Sequence, residues 1–276
     1  MDYELVDSGD GRKLERFGKY LLARPCSQAL WSPQLPQSEW LRADASFDRE
    51  EGNRWHGRGN LPKEWRIETA GIKFNLSGTD FGHLGIFPEQ RAQWRWIREI
   101  CAASVARGQT PRILNLFAYS GGSTLAAALG GAEVCHLDAS KGMVEWARGN
   151  AKANNLENHP IRWIVDDAHK FMRREIRRQR QYEGIILDPP TFGRGANGEM
   201  YKIERDLKET LELVKSLLAP KPLFVLFSSH TAGLSPIAAE NILSRLFPKA
   251  KLVSGEMLLE GKRLACPSGV FCRAEF

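Results

Sequence analysis

Residues 113–138 read ILNLFAYSGGSTLAAALGGAEVCHLD, and this stretch decides the fold that we expect. The apolar run 113–117 has the length and composition of a buried strand. A glycine-rich turn follows, and a segment rich in Ala and Leu, typical of a helix, runs to Leu129. A second apolar run, 133–137, ends at Asp138. The stretch therefore predicts a strand, a helix and a second strand, which is the repeating unit of a parallel sheet.

The same alternation continues to the end of the chain. Further strands are predicted at 161–165, 184–187, 223–227, 252–259 and 270–276, and helices at 140–154, 168–180, 205–218 and 236–247. Strands and helices that alternate at this spacing predict an α/β fold with a doubly wound, mostly parallel sheet. Counted with the first two strands, the sheet has seven.

The region before this pattern has a different composition. Six of the eight tryptophans occur before residue 97, and short alternating stretches at 20–24 and 65–69 lie between glycine-containing turns. These features predict a small β-rich region at residues 1–85 and a larger domain at 86–276, which opens with a helix over 88–107. The tryptophans could stack on nucleic-acid bases, but burial in a small β module is the commoner role.

Composition excludes several classes of protein. The chain of 276 residues has 42% apolar and 26% charged residues, which excludes a wholly disordered or fibrous protein. No apolar run reaches the roughly 18 residues of a membrane span, and the charged N-terminus lacks the apolar core of a signal peptide. A net charge of +6 is compatible with a polyanionic partner.

The cysteines indicate the compartment. The five cysteines are an odd and scattered set without a C-x-x-C pair, which argues against a disulfide framework and against a zinc ribbon. We therefore expect a cytoplasmic protein with reduced thiols. The spacing of its His and Cys residues predicts no metal site.

Four of the predicted strands end in polar or glycine-rich segments. Ligands of such sheets bind beyond the carboxyl ends of the strands, so these segments are the candidate site. They are the glycine-rich turn after residue 117, Asp138, Asp166-Asp167-Ala168, and Asp188-Pro189-Pro190-Thr191-Phe192. Each acid could instead cap the helix that follows it. One shared site explains the order of these segments better than independent caps do.

These segments resemble motifs I to IV of the class I S-adenosylmethionine-dependent methyltransferases. The motif residues are LNLFAYSGGSTLAAALGGAEVCHLDAS (114–140), DDAHKFM (166–172) and IILDPPTFGRG (185–195). The chain is most similar to the large-subunit rRNA methyltransferases that make 5-methylcytosine or 7-methylguanine. GHLGIFPEQRAQWRWI (82–97) is similar to the segment that precedes the catalytic domain in those enzymes, so the resemblance covers roughly residues 70 to 276.

The resemblance implies a Rossmann-like methyltransferase fold, S-adenosylmethionine as cofactor, and a set of site residues. The segment 117–122 would hold the methionine moiety, Asp138 the ribose and Asp167 the adenine amine, with Gln90 and Arg91 closing over the cofactor. The full cofactor-binding set is Gln90, Arg91, Asn115, Phe117, Ala118, Tyr119, Ser120, Gly121, Gly122, Asp138, Ala139, Ser140, Asp167, Ala168 and Asp188. The catalytic set, which would meet the acceptor base, is Asp188, Pro189, Pro190 and Phe192.

Two departures from the family pattern bear on the chemistry. Asn115 stands where an acid is usual, and Ser228 stands in the segment that carries the nucleophilic cysteine of the cytosine-C5 enzymes. The resemblance and the net positive charge together predict RNA, ribosomal RNA or its precursor, as the partner. Ser228 predicts methylation at a nitrogen rather than by a cysteine-dependent C5 mechanism. A protein or small-molecule acceptor and a catalytically silent RNA-binding relative are the alternatives. The oligomeric state stays open.

Basic residues supply the remaining candidates. Arg194 in the loop after the prolines and His230 at the end of a strand are the predicted substrate-binding residues. The helix 168–180 carries a row of arginines and lysines that suits phosphates. A solvated helix face is the commoner explanation of such a row.

Overall fold

The computed structural model describes residues 3–49, 52–195 and 198–276, which form two compact units. The first unit runs to Ala92 and includes Met257–Ser268, and the second contains Gln93–Glu256 and Gly269–Phe276. The sequence places the boundary after residue 85 and assigns 257–268 to the second domain. Gly261 forms a parallel bridge with Leu5, which accounts for the grouping of Met257–Ser268 with the first unit. The domain boundary after residue 85 stays a prediction.

The first unit is β-rich. Its strands are β1 (Tyr3–Gly9), β2 (Arg12–Phe17), β3 (Tyr20–Pro25), β4 (Ala45–Asp48), β5 (Arg54–His56), β6 (Trp65–Thr69) and β7 (Ile72–Leu76), and a short helix α1 (Gln37–Trp40) lies between β3 and β4. Strands β1 to β5 form one sheet in that order, and β6 and β7 form a separate hairpin.

The tryptophans of the first unit are engaged within the protein. The indole of Trp40 is buried and donates to Asp7, and those of Trp31 and Trp55 donate to backbone carbonyls. Indoles that are held in this way support the interpretation that they pack a small β module.

The second unit contains the parallel sheet. The 3-10 turn Pro88–Gln90, which belongs to the first unit, is followed by helix α2 (Arg91–Ala106). The strands after α2 are β8 (Arg112–Leu116), β9 (Glu133–Asp138), β10 (Ile161–Val165), β11 (Gly184–Leu187), β12 (Phe192–Arg194), β13 (Met200–Lys202), β14 (Phe224–Ser229), β15 (Lys251–Leu259) and β16 (Cys266–Glu275). The remaining helices are α3 (Gly122–Leu129), α4 (Lys141–Ala153), α5 (Ala168–Arg177), α6 (Ile203–Leu217) and α7 (Pro236–Leu246).

The large sheet has the order β10-β9-β8-β11-β14-β16-β15. The first five strands are parallel, and β16 pairs antiparallel with β14. The predicted seven-stranded, mostly parallel, Rossmann-like sheet is therefore confirmed. The strand order reverses at β8, because β9 and β10 lie on one side of it and β11 on the other, so the carboxyl ends of β8 and β11 flank the position where ligands bind.

Two features of this unit differ from the expected elements. The hairpin of β12 and β13 is not predicted from the sequence, because each strand has only three residues and glycines flank the turn between them. Strand β16 begins at Cys266 rather than at residue 270. Among the described helices, none is both long and apolar enough to cross a membrane.

Candidate active site

The turn between β8 and α3 has an unusual backbone. Phe117 and Tyr119 have φ values of 55° and 51°, a region that non-glycine residues rarely occupy, and Gly121 has a φ of 91°. The amide of Ala118 donates to the carbonyl of Leu137 at 3.0 Å, which holds the turn against β9. A left-handed backbone conformation at a non-glycine residue costs about 1–3 kcal/mol, so it persists only where the surrounding structure imposes it. Such strained residues cluster at ligand-binding sites.

Asp138 is the last residue of β9, the strand that pairs with β8, and it contacts this turn. Its Oδ2 accepts the amide N–H of Tyr119 and its Oδ1 accepts that of Ser140, each at 2.9 Å. A carboxylate offers about four lone-pair sites, so both oxygens can still accept a hydroxyl each. Ser140, and not Asp138, caps α4 through its side chain. The capping alternative therefore does not account for Asp138.

Asp167, unlike Asp138, caps the helix that follows it. Its Oδ1 accepts the amide N–H of Lys170 at 2.9 Å, so Asp167 is the N-cap of α5. Its neighbour Asp166 pairs with Arg174. The cap occupies one oxygen of Asp167. The contact of Asp167 with the adenine amine and that of Ala168 with the cofactor stay predictions.

The glycines of the turn have separate roles. Gly121 supplies the left-handed conformation, and a Cβ at Gly122 would lie 2.6 Å from the ring of Trp94. Glycine at residue 122 therefore lets α2 pack against the start of α3. The carbonyl of Ser120 accepts from the side chain of Asn150 at 2.9 Å.

Asn115 lies beneath the turn in a buried polar network. Its Nδ2 donates to Oγ1 of Thr124, which lies 2.9 Å from Nδ1 of His136. Burial lowers the pKa of His136 to about 3, so the imidazole is neutral. The network ties β8, α3 and β9 together under the turn. Sequence reasoning missed Thr124 and His136, because neither lies in a motif and their contact is made only by the fold.

Gln90 and Arg91 lie in the first unit, and both are buried there. The Nε of Arg91 donates to the carbonyl of Pro88 at 3.0 Å, and its guanidinium lies over the ring of Tyr3, 4.9 Å from the centroid. Their predicted contact with a cofactor stays a prediction.

Asp188 and His230 follow two adjacent parallel strands. Leu187 of β11 pairs with Phe227 of β14, which brings the residues just beyond them together. The Nδ1 of His230 lies 3.6 Å from Oδ1 of Asp188, and both side chains are half-buried. Pro189 is buried and Pro190 is exposed, so the residues after Asp188 leave the sheet as a stiff segment.

Three hydroxyl groups connect these two strand ends. Oγ1 of Thr191 lies 2.8 Å from Oγ1 of Thr231, and Ser229 donates to Thr231 at 3.0 Å. This chain joins the segment after the prolines to the end of β14. Sequence reasoning missed all three residues, because single Ser and Thr side chains carry no spacing signal.

Comparison with known proteins identifies the family. The family model described as S-adenosylmethionine-dependent methyltransferase matches residues 30–233. The chain belongs to the S-adenosylmethionine-dependent methyltransferases. A methyltransferase of this kind from Agrobacterium tumefaciens is 35% identical, with a TM-score of 0.94 over 100% of this chain and 90% of that protein.

More distant relatives of this methyltransferase have names that specify substrates. A ribosomal RNA large subunit methyltransferase K/L of Pseudoalteromonas translucida is 32% identical over 60% of this chain, and the match covers 22% of that protein. The chain thus spans between 22% and 28% of the length of these curated relatives. A tRNA (uracil-54, C5)-methyltransferase of Pyrococcus abyssi shares only the fold, at 13% identity, a TM-score of 0.51, and 96% and 59% coverage of the two chains.

The residues of this methyltransferase fit S-adenosylmethionine. The cofactor has a ribose diol and no pyrophosphate, and the strand ends offer the partly buried carboxylate of Asp138, with acceptor capacity left, beside a turn with three left-handed residues. No group of three or more His, Cys, Asp or Glu residues within 3–49, 52–195 and 198–276 is arranged to hold a metal ion.

The cysteines of the sheet do not lie at the carboxyl ends of the parallel strands. Cys135 is inside β9, and Cys272 is inside β16, where it pairs with Phe227. Burial raises the pKa of Cys135 to about 11 and that of Cys272 to about 12. Neither is therefore a thiolate at neutral pH.

Removal of the Asp138 carboxylate is expected to weaken cofactor binding. Asp138→Ala should raise the Kd of S-adenosylmethionine and S-adenosylhomocysteine about 10- to 150-fold, because hydrogen bonds to a charged group contribute roughly 1.5–3 kcal/mol. Calorimetry on the purified protein measures this change. Glu133→Ala, at the amino end of the same strand, is the matched control and should bind as the wild type does. Equal affinity of Asp138→Ala and wild type would remove Asp138 from the site.

The same carboxylate predicts a pH dependence. Burial raises the pKa of Asp138, against the two backbone hydrogen bonds that lower it. Only the ionised form can accept a hydroxyl at both oxygens, so affinity should fall as the pH drops through this raised pKa. The decline should begin at a higher pH than the ordinary aspartate value of about 3.9 implies. Calorimetry across the acidic range should find the decline in wild type and not in Asp138→Ala.

Proposed function

We propose that this enzyme methylates a base of RNA, ribosomal RNA or its precursor, in the cytoplasm. The names of the relatives in the family support this substrate. The charge distribution also supports it, because the first unit holds equal numbers of basic and acidic residues and the net +6 therefore resides in the second, methyl-transferring unit. A polyanion is attracted to the unit that must reach its base.

The acceptor would meet the residues that follow β11 and β14. S-adenosylmethionine supplies an electrophilic methyl group on its sulfonium. Asp188 would accept a hydrogen bond from an N–H on the edge of the base, while Pro189 and Pro190 keep that carboxylate in place and Phe192 would stack on the base next to the acceptor. Arg194 and His230 would contact the adjoining nucleotide. Much of the rate acceleration in such a site comes from holding the acceptor atom in line with the methyl group.

We infer a nitrogen acceptor, and the observation that carries this inference is Ser228 at the end of β14. Carbon-5 of cytosine is a poor nucleophile, and its methylation normally begins with attack of a thiolate on carbon-6. The Ser228 side chain is a hydroxyl, 2% exposed, and its pKa lies far above that of a thiol. A ring nitrogen such as guanine N7 already carries a lone pair and needs only to be positioned.

Nucleoside mapping tests both parts of this proposal. RNA from cells that lack the gene is incubated with purified protein and methyl-labelled S-adenosylmethionine, then digested to nucleosides that are separated and identified by mass spectrometry. The expected result is label in one N-methylated nucleoside that cells with the gene already contain. Label in 5-methylcytosine would contradict the nitrogen acceptor, and label in protein but not in RNA would contradict the substrate.

A further inference from the structure

The hairpin of β12 and β13 has an exposed outer face and an inner face that packs against the rest of the second unit. Its register pairs Phe192 with Lys202 and Arg194 with Met200. Residues directly opposite each other, and residues two apart on one strand, point to the same side of a sheet. These four side chains therefore share one face, and all four are exposed, Phe192 at 47% and Met200 at 46%.

The inner face fixes the hairpin to the cofactor side of the unit. Tyr201 is partly buried, with its ring centroid 5.2 Å from that of Phe117 in the turn after β8. Its hydroxyl lies 3.3 Å from Oγ1 of Thr210 on α6. The far end of the hairpin is also held, because Glu199 pairs with Lys170 of α5. The outer face is thus presented at the mouth of the site and begins two residues after Pro190.

The cations of this face differ from those of the neighbouring helix. Within the part of the chain that the structure describes, neither Arg194 nor Lys202 has a carboxylate partner. In α5 and its C-cap, by contrast, four of the five Lys and Arg side chains are paired: Lys170 with Glu199, Arg173 with Glu209, Arg174 with Asp166, and Arg178 with Glu175. A phosphate at α5 would have to compete with these acids, whereas at the hairpin it would not. The guanidinium of Arg194 instead lies over the ring of Phe192, 5.8 Å from its centroid.

We propose that this outer face binds the single-stranded RNA that flanks the acceptor nucleotide, an inference that rests on the proposed function. Phe192 and the guanidinium plane of Arg194 stack on an unpaired base, Arg194 and Lys202 contact the phosphates beside it, and Met200 covers the apolar edge. An exposed ring can stack only on a base that has left the helix, and an acceptor base must itself be unstacked to reach the strand ends. The hairpin therefore selects loops over duplex.

The test is RNA binding in the absence of turnover. The full chain, saturated with S-adenosylhomocysteine, is titrated into a fluorescein-labelled oligouridine, and anisotropy is recorded at several salt concentrations. Each phosphate contact to a single strand contributes about 0.7 to the slope of log K against log salt, so the double variant Arg194→Gln, Lys202→Gln should lower that slope by roughly 1.4. Phe192→Ala should raise the Kd about 5- to 150-fold, the loss of one stacked base.

The controls separate this inference from the function on which it rests. Lys221→Gln removes an exposed lysine before the amino end of β14, so this lysine lies at the end of the parallel strands opposite to the site. This variant should bind the oligouridine as the wild type does. Unchanged calorimetric affinity of the double variant for S-adenosylhomocysteine shows an intact fold. If wild type methylates RNA and the double variant keeps the wild-type slope, the hairpin is not the RNA contact and the function stands. If wild type neither methylates nor binds RNA, both are overturned.

Discussion

Asp188→Asn is expected to lower kcat for methyl transfer to RNA by about 10²- to 10³-fold, the cost of removing one pre-organised polar group from the reacting centre. The amide keeps the shape of the side chain and removes its charge, so the geometry after β11 should persist. Asp188 is predicted to face the acceptor more than the cofactor. The Kd of S-adenosylhomocysteine, measured by calorimetry, should therefore stay close to the wild-type value while single-turnover rates fall.

The control for this variant lies just before the other end of β11. Glu183 precedes β11 and pairs with Arg112 at an exposed position, an interaction that contributes about 1 kcal/mol or less. Glu183→Gln should therefore keep the full kcat. A loss of the folding transition in Asp188→Asn, without a separable loss of turnover, would assign Asp188 to the stability of the loop. A matched decline in turnover and cofactor affinity would assign it to the cofactor instead.

The fold could be predicted from the sequence because its signals are local. Each parallel strand is a short apolar run that is followed by a helix, and buried parallel strands need no partner-specific residue to be recognised. The position of Asp138 could also be predicted, because the alternation of strands and helices places it at the end of a strand. The sequence could not show whether Asp138 caps α4, because the alternative cap, Ser140, is only two residues away. Only the hydrogen bonds in the structure distinguish the two residues.

The parts of the site that the sequence could not predict are contacts between distant segments. Thr191 meets Thr231, and Asn115 meets His136 through Thr124, in each case across strands whose pairing the sequence does not specify. The sequence shows the basic row on α5, but it does not show that acids neutralise most of the row, because three of the four acids, Glu199, Glu209 and Asp166, lie outside the helix. The hairpin after Pro190 could not be predicted either, because strands of three residues are too short to show a hydrophobic period.

RNA that contains 5-fluorocytosine is expected to form no stable covalent adduct with this enzyme. In a cysteine-dependent C5 mechanism, a thiolate sulfur bonds to carbon-6, the methyl group transfers to carbon-5, and loss of the proton from carbon-5 allows the sulfur to leave. Fluorine at carbon-5 cannot leave as a cation, so the S–C6 bond persists and the protein stays attached to the RNA. Ser228 offers no thiolate to start this sequence, and denaturing electrophoresis with labelled RNA should show unshifted protein.

The variant that decides the outcome is Cys26→Ser. Burial raises the pKa of the thiols of Cys101, Cys135 and Cys272, and that of Cys266 rises mainly through its hydrogen bond with Cys26. Cys26 is the exception: its sulfur lies 3.0 Å from that of Cys266, and this hydrogen bond lowers its pKa to about 7. Any adduct should therefore be sought there first, with a reductant present to keep the two thiols from pairing. An adduct that persists in wild type and vanishes in Cys26→Ser, or in a serine variant of any other cysteine, would replace the nitrogen acceptor with a covalent route.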